Sequence, residues 1–242
     1  MRKYLKTSIL LFGLAATSSV SYSQTTTASS ENVPVMSAEA KAKSDQEVDQ
    51  KAAEWVTSLN LNNAQKEAAV KSVVATHLKA IRNYNNEHPY TLVPAGINPV
   101  TGKSLSTLDR QIIAVSAMPK SIHENLMNGL HQNLTDAQVE AILDKYTIGK
   151  VEFTLNGYKS IVPNLTPTEE SVILTNLKQA REQAVDFKNM KQISAIFEIY
   201  KTKNEEYLNT HGRNWHEMFK AYVDAAKAKK AADAKAAKSS QK

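Results

Sequence analysis

Apolar residues recur at helical spacing through most of this chain. Between 63 and 86, Val70, Val73, Val74, Leu78 and Ile81 fall on one face. Leu108, Ile112, Ile113 and Val115 do the same over 107–117, and Ile122, Leu126 and Leu130 over 120–131. Val139, Ile142, Leu143 and Tyr146 line 136–147, and Val172, Ile173, Leu177, Ala180 and Ala184 line 167–187. Ile193, Ile196, Phe197, Tyr200 and Leu208 follow over 189–209, and Trp215, Phe219, Tyr222 and Val223 over 215–225. Stripes of this width bury one helix face against another, so the pattern predicts an all-α core.

Capping chemistry marks where these helices begin. A Ser, Thr or Asn oxygen accepts from the N3 amide while an acid or amide at N3 reaches back. Ser44 with Glu47, Asn62 with Gln65, Ser121 with Glu124, Thr135 with Gln138, Thr166 with Glu169 and Asn214 with Glu217 fit that spacing. Pro167 suits N1, where a missing amide costs nothing. Pro119 stops one helix and Gly212 another.

Two stretches break the rhythm. In 150–162, Val151, Phe153 and Leu155 alternate before Asn156-Gly157, a hairpin signal. Val151, Leu155, Tyr158 and Val162 also fit a helix, and a lone hairpin among helices would be marginal, so helix is favoured. In 87–106, Pro89, Pro94, Gly96, Pro99 and Gly102 forbid regular structure. A loop of that length in a helical domain is unusual and often functional. The expectation is a single all-α, multi-helix domain of seven to nine antiparallel helices with one long irregular loop at 87–106.

The chain ends change the picture of where the protein works. Arg2, Lys3 and Lys6 precede a short apolar run from Ser8 to Ala16, and Ser21 and Ser23 sit at signal-peptidase spacing before Gln24. That is the pattern of a secretory signal over 1–23. With no cysteine anywhere, neither a lipoprotein anchor nor a disulfide is expected. Residues 24–43 read as a disordered Ser/Thr/Ala linker, 44–224 as the helical domain, and 225–242 as a flexible Ala/Lys-rich tail. The expected location is periplasmic or secreted, without stable membrane insertion once the signal is removed.

The formal charge of +6 is a property of these ends. Removing the signal and the six lysines of 227–242 leaves a slightly acidic folded part. A nucleic-acid-binding domain carries a basic face of its own, so nucleic acid is rejected as a partner.

Candidate chemistry is sparse. There is no Gly-rich phosphate loop and no His-Glu-x-x-His helix. His77 lies on an apolar stripe and reads as a core histidine with a hydrogen bond. His123 and His131 are two turns apart, a weak metal spacing, and neither metal nor cofactor is expected. Two polar–aromatic clusters remain. One is in the loop, with His88, Tyr90 and Asn98; the other is His211, Arg213 and Trp215 around Gly212. A sugar site needs an aromatic face for the apolar side of the ring and planar polar groups at its edge, and these are the right types. The bland reading of the second cluster is a C-cap glycine, an Asn214 N-cap and a buried tryptophan.

Several segments in order carry a family resemblance: Asn86-Glu87-His88-Pro89-Tyr90, Pro94-Ala95-Gly96-Ile97-Asn98-Pro99, Ala137-Gln138-Val139-Glu140, Pro163-Asn164-Leu165-Thr166, Ala180-Arg181-Glu182-Gln183-Ala184, and Tyr207-Leu208 leading to Gly212. Together, over about 50–222, they resemble a secreted bacterial helical family of unknown function, described as sugar-binding and associated with glycan degraders. The resemblance implies an exported helical domain linked to polysaccharide use and supplies no catalytic residues. The leading expectation is therefore a non-catalytic carbohydrate-binding or accessory protein of polysaccharide utilisation with a glycan ligand. The alternatives are a glycan hydrolase or lyase around Glu87, His88, Asp109 and Arg110, and a periplasmic helical stress chaperone, which the Leu-Thr-Asp-Ala-Gln start at 134–138 resembles. Should the two clusters meet, Tyr90 and Trp215 would stack on a ring while Arg213 and His88 bind its substituents.

Overall fold

A computed structural model describes residues 36–99 and 101–239. Nine α-helices run through the described residues, with no named strand. The expected secretory signal over 1–23 falls outside the described residues. The single helical domain divides into two compact units, one of residues up to 142 plus 186–192, the other of 143–185 plus the residues after 192.

The first unit begins with α1 (Ala38–Thr57), capped by Ser37, whose hydroxyl accepts from the Ala40 amide at 3.1 Å. The expected start at Ser44 is thus too late, and residues 38–43, expected as part of a linker, are helical. The run Ala38-Glu39-Ala40-Lys41-Ala42-Lys43 is made of strong helix formers with an acid in the first turn. Ser44 meets Arg82 instead, accepting from Nη1 at 2.9 Å, while Asp45 takes Nη2 at 2.6 Å. The next helix, α2 (Ala64–Glu87), is capped by Asn63, one residue later than expected, because Asn62 takes the left-handed conformation at φ 52°. α3 (Thr107–Ser116) has a full capping box from Ser106 and Asp109, a pair the sequence reading passed over. α4 (Lys120–Asn133) follows Pro119 directly, so Ser121 is inside the first turn and not a cap.

In this unit α2 packs on both α1 and α4. Val70, Val74, Ile81, Leu126 and Leu130 are buried there. The α2–α4 approach is close: a Cβ added to Gly129 would lie 2.6 Å from Cγ2 of Val73.

The 87–106 loop is irregular and internally tied. A 3-10 turn, Tyr90–Leu92, is followed by one antiparallel bridge between Ile97 and Ser104. Leu105 donates to the Gly96 carbonyl and Asn98 to that of Lys103, both at 2.8 Å. Arg110 on α3 donates to the carbonyls of Thr91 and Val93, each at 3.0 Å.

The second unit contains most of the remaining helices. α5 (Asp136–Thr147) carries the reciprocal Thr135–Gln138 cap and crosses from the first unit into the second. Residues 150–162 resolve as helix, with α6 spanning Lys150–Ile161 and burying Val151, Leu155 and Tyr158. Helical spacing wins there because all three apolar residues reach one side. α7 (Pro167–Ala184) starts at the expected Thr166–Glu169 box. α8 (Met190–Thr210) and α9 (Trp215–Ser239) complete the chain, so residues 225–239 continue a helix where a flexible tail was expected. Alanine and lysine propensity suffices for that. Packing runs from α6 to α7 and to α9, around fully buried Ile173, Leu177, Phe197 and Leu208.

Candidate functional site

The α8–α9 corner is built from short-range rules. α8 ends at Thr210, and Gly212 takes φ 86°, a left-handed conformation that a Cβ would strain. That turn brings the Arg213 amide back to the Leu208 carbonyl at 3.0 Å. Asn214 then caps α9, accepting from the Glu217 amide at 3.2 Å, and the Asn209 side chain takes the Trp215 amide at 2.9 Å.

Arg213 serves this corner. Its Nε and Nη2 make a bidentate pair with Glu169 at 2.7 and 2.8 Å, and it donates to the carbonyls of Pro163 and Asn164 at 3.1 Å each. These donors fasten the start of α9 to the start of α7, so Arg213 is a positioning residue. The Arg213 guanidinium, working against burial and helped by the Thr166 amide, holds the Glu169 carboxyl down at about 2 against an ordinary 4.5. A depressed carboxylate stabilises the fold above its unfolded pKa and loses that contribution as pH falls. Stability of the second unit is expected to decline between about pH 4.5 and 2. Arg213→Ala is expected to cost about 2 kcal/mol at pH 7 and to flatten that acid limb, measured by urea denaturation at several pH values. An unchanged limb would assign the acid sensitivity elsewhere.

Beside this clamp the aromatic rings of α9 come forward. Trp215 is half-buried; its ring centroid is 5.3 Å from that of Tyr158 and 5.9 Å from that of Phe219, the latter pair inclined by 23°. Phe219 is 46% exposed and Tyr222 42%. Elsewhere in the second unit the predicted stripes are mostly buried. On α9 two of the four stripe residues face water. His211, at the α8–α9 corner, is exposed; its ring is 4.1 Å from that of Tyr207 and tilted to it by 33°, with Nδ1 donating to the Tyr207 carbonyl at 2.8 Å.

The other predicted residues lie in the first unit. His88 is exposed and stacks on Tyr84 at 4.2 Å, its Nδ1 3.1 Å from the Tyr84 carbonyl. The Arg110 guanidinium sits over the Tyr90 ring at 5.7 Å. Asn98 is buried, and its Oδ1 accepts from the Thr101 amide, so it shapes the loop. Of the rival catalytic group, Asp109 closes the α3 capping box and Arg110 holds the loop carbonyls.

A third cluster escaped sequence reading. Nε2 of buried His77 on α2 lies 3.0 Å from Oδ1 of Asp186, and Nδ1 of His123 on α4 lies 2.9 Å from Oδ2. An ionised carboxylate only accepts, so both nitrogens carry their proton. Burial alone would raise the Asp186 carboxyl; the two histidines outweigh it and keep it below the ordinary carboxylate range. Asp186 is 63 residues from His123 and 109 from His77, and no local spacing could have joined them. Among the described residues, no group of three or more acids, histidines or cysteines is arranged to hold a metal ion, and no helix is long and apolar enough to cross a membrane.

No curated protein matches this chain. A family model does match, over residues 45–228, from within α1 into α9 and across both units. The chain belongs to that family, the proteins of unknown function DUF3826.

Proposed function

We propose that this is an exported, non-catalytic carbohydrate-binding protein whose ligand face is the aromatic stripe at the start of α9. One observation carries the reading: Trp215, Phe219 and Tyr222 share a helix face that the fold leaves partly open to water. Exposed rings are costly in water, and a pyranose presents a C–H face that such rings cover well. Trp215 and Phe219 form the platform, His211 supplies a polar edge, and Arg213 fixes the helix that carries them. Export is supported by the charged start, short apolar run and small residues of 1–24.

A thermal-shift screen of the mature chain against plant and host polysaccharides tests this. At least one glycan is expected to raise Tm, and Phe219→Ala is expected to weaken that ligand about tenfold while folding is retained. The absence of a shift with every glycan would end the reading.

An enzymatic reading has one observation in its favour, the carboxylate-held His123 in the first unit. Turnover in the same screen, lost in His123→Ala, would replace the binding-only proposal.

A further inference from the structure

We propose that the α9 face selects acidic glycans, chains bearing uronate or sulfate groups, with Lys229 and Lys230 as their anion contacts; this rests on the carbohydrate reading above. An α-helix turns about 100° per residue, which places Trp215, Phe219 and Tyr222 within a stripe roughly 60° wide. Continued along the helix, the same line passes Ala226 and then runs between Lys229 and Lys230. From Tyr222 to Lys229 is about 10 Å along the axis. A chain of sugar rings lying on the aromatic platform therefore runs straight toward two adjacent ammonium groups.

The other lysines of this helix are differently placed. Lys220 and Lys227 lie off the stripe, on the side of Asp224, and Lys220 pairs with Asp224 at 2.6 Å. Lys229 and Lys230 are exposed and, among the described residues, take part in no ion pair. Asp233 comes next on the line and bounds the cationic stretch. The family match stops at 228, so these two lysines lie beyond the matched segment. A polyanion suits the end of this helix, whereas the rest of the mature sequence carries a slight net negative charge, which does not favour a duplex or an anionic bilayer.

The test compares the mature wild-type chain with a Lys229→Ala/Lys230→Ala double variant by isothermal titration. The probes are polygalacturonate, its fully methyl-esterified form, and anionic phospholipid vesicles. Circular dichroism first checks that the variant folds. Polygalacturonate is expected to bind the wild type more tightly than the ester does, to weaken with added salt, and to lose about tenfold in affinity in the double variant. The ester is expected to bind both proteins alike. Equal polygalacturonate affinity in both proteins, or a preference for the ester, would overturn the acidic selectivity and leave the carbohydrate reading standing. Binding to vesicles in place of either polysaccharide would overturn it in favour of a membrane surface. Failure of both polysaccharides would remove it, and a negative screen against neutral glycans as well would remove the carbohydrate reading.

Discussion

Gly129→Val is expected to destabilise the first unit by about 3 kcal/mol, one of the two largest single-residue effects in this protein. The reason is contact distance. An added Cβ meets Val73 at 2.6 Å from Cγ2 and 2.8 Å from Cγ1. Its third neighbour is Val73 Cβ at 3.3 Å, which no side-chain rotation moves away. The α2–α4 pair must then separate, and Val70, Val74, Leu126 and Leu130 lose packing together. Urea unfolding should show a lower midpoint with little change in slope. A shift below about 0.5 kcal/mol would mean that α4 slides along α2 at little cost.

Asp186→Ala is expected to match it, at about 3 kcal/mol, through a different cause. The substitution removes two hydrogen bonds at once and takes the carboxylate from a His77 ring that is 1% exposed. It also cuts the connection that Asp186 makes between α2 and α4. The pH dependence gives the readout that packing loss would not. Asp186 is held below the ordinary carboxylate range in the fold, so its contribution is present above the unfolded carboxylate's pKa and fades as pH falls. Wild type and variant should therefore differ most near neutral pH and converge in acid. A difference that stays constant down to pH 2 would show that the histidine bridge contributes little.

What could be read in advance divides by range along the chain. The helices were legible because period and capping are local: Thr166 with Glu169 and Thr135 with Gln138 stand as their spacing predicts. Ser44 misled for the same reason, since a serine three residues before a glutamate fits a cap wherever it falls. Only the partner Arg82, 38 residues on, gives Ser44 its role. The two ends of the chain's chemistry were harder. Arg213 has the composition of a ligand-binding residue, and its engagement by Glu169 depends on a contact across 44 residues. The Asp186 bridge joins three distant segments and left no local trace. Trp215 was legible as an aromatic near a turn; that Phe219 and Tyr222 stay exposed depends on which elements cover α9, and no periodicity states that.

The most direct measurement of the central claim uses the fluorescence of Trp215. The chain has two tryptophans, so a Trp55→Phe protein reports from Trp215 alone. The half-exposed Trp215 ring should be quenched by iodide in the free protein. Titration with the glycan selected by thermal shift should move its emission to shorter wavelength, protect it from iodide, and saturate at the calorimetric Kd. A glycan that binds by calorimetry while the Trp215 emission and quenching stay unchanged would place the ligand elsewhere and contradict the account.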